Sequence, residues 1–132
     1  MTEQEFKDRT KNIAVRVIRL IEFLPHSPAS QTIAKQLLRS ATSIGANYRA
    51  ACRGKSPADV IHKLAIVEEE ADESLYWLEL LIESEMVAAD KLKSLQSDIN
   101  EIVAMTVASI KTMKMKQRPI QNPKSKIQNQ NA

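Results

Sequence analysis

Apolar residues recur at alternating steps of three and four along nearly the whole chain, in four stretches separated by three short breaks. Phe6, Thr10, Ile13, Val17, Leu20 or Ile21, and Leu24 form the first stripe, and Leu37, Ala41, Ile44, Tyr48 and Ala51 the second. Val60, Leu64, Val67, Ala71, Ser74, Leu78 and Leu81 make the third, and Leu92, Leu95, Ile99, Ile102, Thr106, Ile110 and Met113 the fourth. That period places each set on one face of a helix. The run Pro25-His26-Ser27-Pro28 ends the first stretch, Gly54-Lys55-Ser56-Pro57 the second, and residues 85–88 the third. Helices are therefore predicted over about 3–24, 29–53, 57–84 and 89–116. Connections this short leave only antiparallel neighbours, so the predicted fold is an all-α, antiparallel up-down-up-down four-helix bundle filling residues 1–116.

The cap signals agree with these boundaries. Thr2 with Glu5 reads as a capping box, and either Ser27 or Ser30 suits the start of the second helix. Ser56-Pro57 supplies an N-cap and first position for the third, with Asp59 facing its free amides. Gly54 is expected in the left-handed conformation that closes many helices. Aromatic residues are 4% of the chain and glycines only two, which suits aliphatic helix packing rather than a β fold. The single cysteine, Cys52, cannot form an internal disulfide, and no apolar run approaches the roughly 18 residues of a membrane span. A soluble cytoplasmic protein is expected. Residues 117–132 contain two prolines, much Asn and Gln and little apolar content, and read as a disordered basic tail.

The stretch from Leu37 to Arg53 is unusual for its small residues, Ser40, Ala41, Thr42, Ser43, Gly45 and Ala46. A mid-helix glycine costs about 1 kcal/mol against alanine, so Gly45 implies a closely packed neighbour, with a subunit interface as its expected place. If the turn to the third helix centres near Lys55, residues whose numbers sum to about 110 lie level. Arg39 and Ser40 then face Glu70, and Gln36 faces Glu73. An Arg39–Glu70 ion pair is the expected result, and a buried Asn47 would need a partner that fixes helix register.

Several runs carry a likeness to a known family: Gln36-Leu37, Arg39-Ser40, Thr42-Ser43-Ile44-Gly45-Ala46-Asn47-Tyr48, Ser56 with Asp59, and Ile61 to Leu64. Glu70-Ala71, Glu73, Tyr76-Trp77-Leu78, Phe6 with Arg9-Thr10, and Leu24-Pro25 continue it. Over about residues 6–113 the chain resembles the small four-helix-bundle proteins also called 23S rRNA intervening-sequence proteins. It departs from them at Ala50, where the family usually has Glu. The resemblance implies a left-handed bundle, a homopentameric ring and no established enzymatic activity. It also suggests, by analogy with related retroelement accessory proteins, a nucleic acid or a nucleic-acid enzyme as partner.

Charge is distributed unevenly. Residues 1–56 carry ten basic against four acidic residues, 57–110 three against twelve, and 111–132 six against none. Arg49, Arg53 and Lys55, with Lys111, Lys114, Lys116 and Arg118, are expected at one end of the bundle because the second and fourth helices run the same way. Without stacking aromatics, contact there would be to RNA or DNA phosphates and sensitive to salt. The competing reading is a protein-binding scaffold whose charges serve solubility. Tyr76 and Trp77 are adjacent and cannot both enter the core, so the pair either makes a subunit contact or Trp77 closes the bundle end against Leu92 and Leu95.

Catalysis finds little support. His26 and His62 lack ligand-spaced companions, so no metal is expected. Ser40, Ser43 and Ser74 have no His placed to activate them. Glu70-x-x-Glu73 lacks the His of a di-iron bundle. No cofactor and no small-molecule substrate are expected.

Overall fold

The first three helices begin where a side chain satisfies a free amide. The computed structural model describes residues 1–117, and these form α1 (Glu3–Glu22), α2 (Pro28–Cys52), α3 (Pro57–Glu83) and α4 (Ala89–Gln117). The Oγ1 of Thr2 accepts the Glu5 amide at 3.0 Å, and the Oγ of Ser56 accepts that of Asp59 at 3.1 Å. For α2 the cap is Ser27, which accepts the amide of Ser30. Ser30 itself is fully buried inside the first turn. Gln117, expected in the tail, is the last residue of α4, and the disorder expected over residues 118–132, including Arg118, falls outside the described residues.

The helices alternate in direction, and each packs on its sequence neighbours while α1 closes on α4. This is the up-down-up-down bundle. Its core holds Ile13, Val17, Leu37, Ile44, Val67, Leu78, Leu81, Ile99 and Ile102, all sealed from solvent, and every one belongs to a predicted stripe. Each such aliphatic side chain contributes about 2 kcal/mol by leaving water, which is what holds four otherwise marginal helices together.

Five hydroxyls are buried, and four of them are satisfied, while the Oγ of Ser30 has no hydrogen-bond partner among the described residues. Thr10 shares its proton between the carbonyls of Phe6 and Lys7 (3.0 Å each), and Thr106 donates to Ile102 at 2.7 Å. Ser74 donates to the carbonyl of Glu70, and its oxygen lies 2.8 Å from that of Ser40 across the α2–α3 boundary. Just outside this pair, Arg39 binds Glu70 at 2.8 Å and also meets Glu73. The α1–α4 boundary has its own ionic seam: Arg16 binds Asp98 at 2.5 Å, and Arg9 reaches Asp98 and Glu101. These pairs are partly exposed, so they fix the lateral match between helices more than they add stability.

Gly45 has the close neighbour its helix implies, whereas Gly54 lacks the left-handed conformation expected of it. A Cβ on Gly45 would stand 3.1 Å from the Oγ1 of Thr10, so the glycine serves the crossing of α1 and α2 within one chain. Gly54 has no positive φ; a Cβ there would collide with the Cγ2 of Val60 at 2.4 Å, and the residue is needed for space. The left-handed residue is Glu85 (φ 64°), where the amides of Glu85 and Met86 bond to the carbonyls of Ile82 and Leu81 and close α3. Asn47, expected to seek a partner across helices, donates to the carbonyl of Ser43 in its own helix.

Two outcomes are expected in denaturant unfolding. Gly45→Ala destabilises the parent but stabilises a Thr10→Ala background, where the crowding oxygen is gone and helix propensity of about 1 kcal/mol prevails. Glu85→Gly stabilises by about 1 kcal/mol, because the left-handed conformation costs an L side chain that much.

Candidate nucleic-acid interface and lateral groove

The C-termini of α2 and α4 and the N-termini of α1 and α3 meet at one end of the bundle, around a cavity of about 430 Å³. Its walls are mostly apolar, with Ala51, Val60, Leu64 and Met113, and its polar rim is formed by Glu3, Tyr48 and Cys52. Tyr48 stacks on Phe6 with ring centroids 4.0 Å apart, which anchors α1 over the end of α2. A hydrogen bond from Cys52, then the neighbouring Lys7, lower the pKa of Glu3. Burial, then the hydrogen bond to Glu3, push the Cys52 thiol up, and burial does the same more strongly to the Tyr48 phenol. A thiol held protonated is a poor nucleophile. Among the described residues no group of three His, Cys, Asp or Glu side chains could hold a metal ion.

The basic residues expected to form one cluster divide among three places. Arg53 and Lys55 are exposed at the turn between α2 and α3. Lys111 and Lys114 line a groove between α3 and α4 beside Glu68, and Lys116 is exposed in the last turn of α4. Arg49 turns the other way, into a groove between α1 and α2 that it shares with Lys7 and Lys11. The separation follows from helix rotation: Arg49 and Arg53 differ by four residues, but Arg53 has already left the helix as its C-cap. Lys7 and Lys11 escaped the sequence reading because they look like ordinary solvated residues of an isolated α1. Their signal is only that they lie level with Arg49 across the first turn.

That α1–α2 groove has a volume of about 310 Å³, and its floor is made of Ala14, Thr42, Gly45 and Ala46. Thr42, Gly45 and Ala46, three of the small residues singled out in α2, thus face α1 and open outward beside it. Tyr76 and Trp77 separate as their adjacency requires. Trp77 packs against the core, with its indole N–H buried and unpartnered, while Tyr76 is 53% exposed and meets Trp77 edge-on at 5.1 Å. The Arg39–Glu70 pair is a lateral tie between α2 and α3, with Glu73 completing it.

A four-helix bundle with polar seams, a basic rim and one small-residue groove is the class of protein these features define. The chain belongs to the 23S rRNA-intervening sequence protein family, whose model matches residues 2–108. It is also similar to a solved protein of unknown function from the S23 ribosomal protein family of Bacteroides thetaiotaomicron VPI-5482. The two are 41% identical, with a TM-score of 0.78 over 84% of this chain and 99% of the other. No curated protein matches. Neither likeness brings an enzymatic family with it, and no helix among the described residues is long and apolar enough to cross a membrane.

Cys52 supplies a check on the end of the bundle. Its thiol should react with a neutral alkylating reagent at pH 7.5 more slowly than free cysteine. Glu3→Gln should speed it, since the carboxylate both accepts the thiol proton and repels the thiolate.

Proposed function

We propose that this protein is a non-enzymatic assembly module, a homo-oligomeric ring of helical bundles that meets RNA or DNA phosphates through its basic end. The observation that carries the nucleic-acid half is the exposure of Arg53, Lys55, Lys111, Lys114 and Lys116 without any acidic partner among the described ion pairs. Lysine and arginine at the ends of α2 and α4 also complement the negative ends of the helix dipoles. That role uses one or two such charges, not five. A ring repeats the same basic rim around its axis and strengthens the field each copy offers to a polyanion. The names of the family and of its solved member both refer to ribosomal components, which agrees with an RNA partner.

Phosphate contact without base stacking has a definite signature. With about four phosphates neutralised, log affinity for single-stranded RNA should fall with log salt at a slope of about −3. Filter binding between 50 and 200 mM salt reads this directly. Lys111→Gln with Lys114→Gln should flatten the slope by about 1.4, and absence of binding at 50 mM salt removes the nucleic-acid role.

The second reading, a protein-binding scaffold, draws on the acidic outer face of α3 and exposed Tyr76. Partner capture from native cells that survives nuclease treatment favours it.

A further inference from the structure

The outward face of α3 is a single ridge. Glu69, Asp72, Tyr76, Glu79 and Glu83 recur at steps of three and four, and all five are exposed. None of the four acids has an ion-pair partner among the described residues, in contrast to Glu70 and Glu73 on the inner flank, which share Arg39. The ridge therefore presents one aromatic ring between two pairs of unpaired carboxylates.

The groove between α1 and α2 has the complementary form. Residues facing each other across it have numbers that sum to about 56: Lys7 with Arg49, Lys11 with Ala46, Ala14 with Thr42, and Ile18 with Leu38. The first pair and Lys11 make one end basic, although Lys7 shares its charge with Glu3 and Asp8 stands at the same rim. The middle is floored by small side chains, and beyond it Ile18 and Leu38 are exposed at 44% and 37%, a level at which a lone monomer gains nothing from them. Lys35, one turn further along α2, is exposed as well. The α2 wall of the groove, from Arg49 to the exposed Lys35, runs about 21 Å, and the ridge from Glu69 to Glu83 runs about 21 Å as well, so four turns of one match four turns of the other.

We infer that the α3 ridge of one copy docks in the α1–α2 groove of a second copy. Tyr76 sits over Ala14, Thr42 and Ala46, one pair of ridge carboxylates meets Lys7, Lys11 and Arg49, and the other pair lies towards Lys35, past Ile18 and Leu38. A second copy is the occupant because the chain itself carries both halves: an acidic ridge with one aromatic anchor, and a basic groove with space for a ring. Ridge and groove lie on different faces of the same bundle, so the contact is heterologous. Each copy keeps a free groove and a free ridge until the assembly closes on itself. Desolvated aromatic anchors dominate such contacts, while the rim charges set register and association rate. This placement also gives Arg49 a role apart from the basic end. The inference rests on the proposed self-assembly and assigns its surfaces.

The test mixes two defective halves. Ala46→Arg fills the groove and leaves the ridge; Tyr76→Ala with Glu79→Lys spoils the ridge and leaves the groove. Both sites are exposed, and circular dichroism checks that each variant stays helical; should Ala46→Arg lose helicity, Thr42→Arg takes its place. By light scattering, the parent is expected as an oligomer and each variant alone as a monomer of 14.8 kDa. An equimolar mixture should give a 1:1 heterodimer, because one intact ridge still meets one intact groove. Tyr76→Ala alone should weaken association by about tenfold or more. A monomeric parent overturns self-assembly altogether. An oligomeric parent whose variants still assemble, or whose mixture stays monomeric, overturns this interface while leaving self-assembly standing.

Discussion

The bundle depends on how closely α2 is held between its two neighbours. On one side Gly45 leaves no more than a hydrogen atom beneath Thr10 of α1. On the other, Ser40 and Ser74 touch through their hydroxyls with no larger group between α2 and α3. Neither contact could form with ordinary aliphatic residues, whose bulk would hold the helix axes further apart. The weak helix propensity of this segment is the cost of that proximity, and the surrounding aliphatic core offsets it.

Close packing on α2 also determines what happens at the periphery. Drawing α2 against α3 brings Arg39 to Glu70 and Glu73, which ties the outer flank and leaves the acids one step further round without a partner. Drawing α2 against α1 exposes a floor of small side chains between two helices and places Arg49 beside Lys7 and Lys11. The α1–α4 boundary is looser and relies on Arg9 and Arg16 reaching across to Asp98 and Glu101. One physical choice, small residues in α2, thus generates both the tight side of the bundle and its lateral groove.

The polar groups of the core are structural. Thr10, Ser40, Ser74 and Thr106 have their hydrogen bonds satisfied by backbone carbonyls or by each other, so none is poised for chemistry. Cys52 and Tyr48 are held in their neutral forms by burial. What the described surface offers a partner is charge, shape and two exposed aromatic rings, Phe23 and Tyr76.

What the sequence determined alone was the number of helices, their order and direction, and the residues that face inward. A period of three and four, punctuated by Pro and Ser caps, has only one compact solution when the connections are short. The level of Arg39 with Glu70 was legible for the same reason, since a tight turn fixes register to within a helical turn. Rotation about each helix axis was not legible, because it is settled by which side chains interlock. Only the tertiary structure could show that Gly45 answers to Thr10 of its own chain, and that Gly54 yields to Val60 rather than to a left-handed turn. It alone showed Glu85 taking that conformation, and Arg49 leaving the basic end for the groove. Periodicity names the face a residue lies on; packing decides what that face meets.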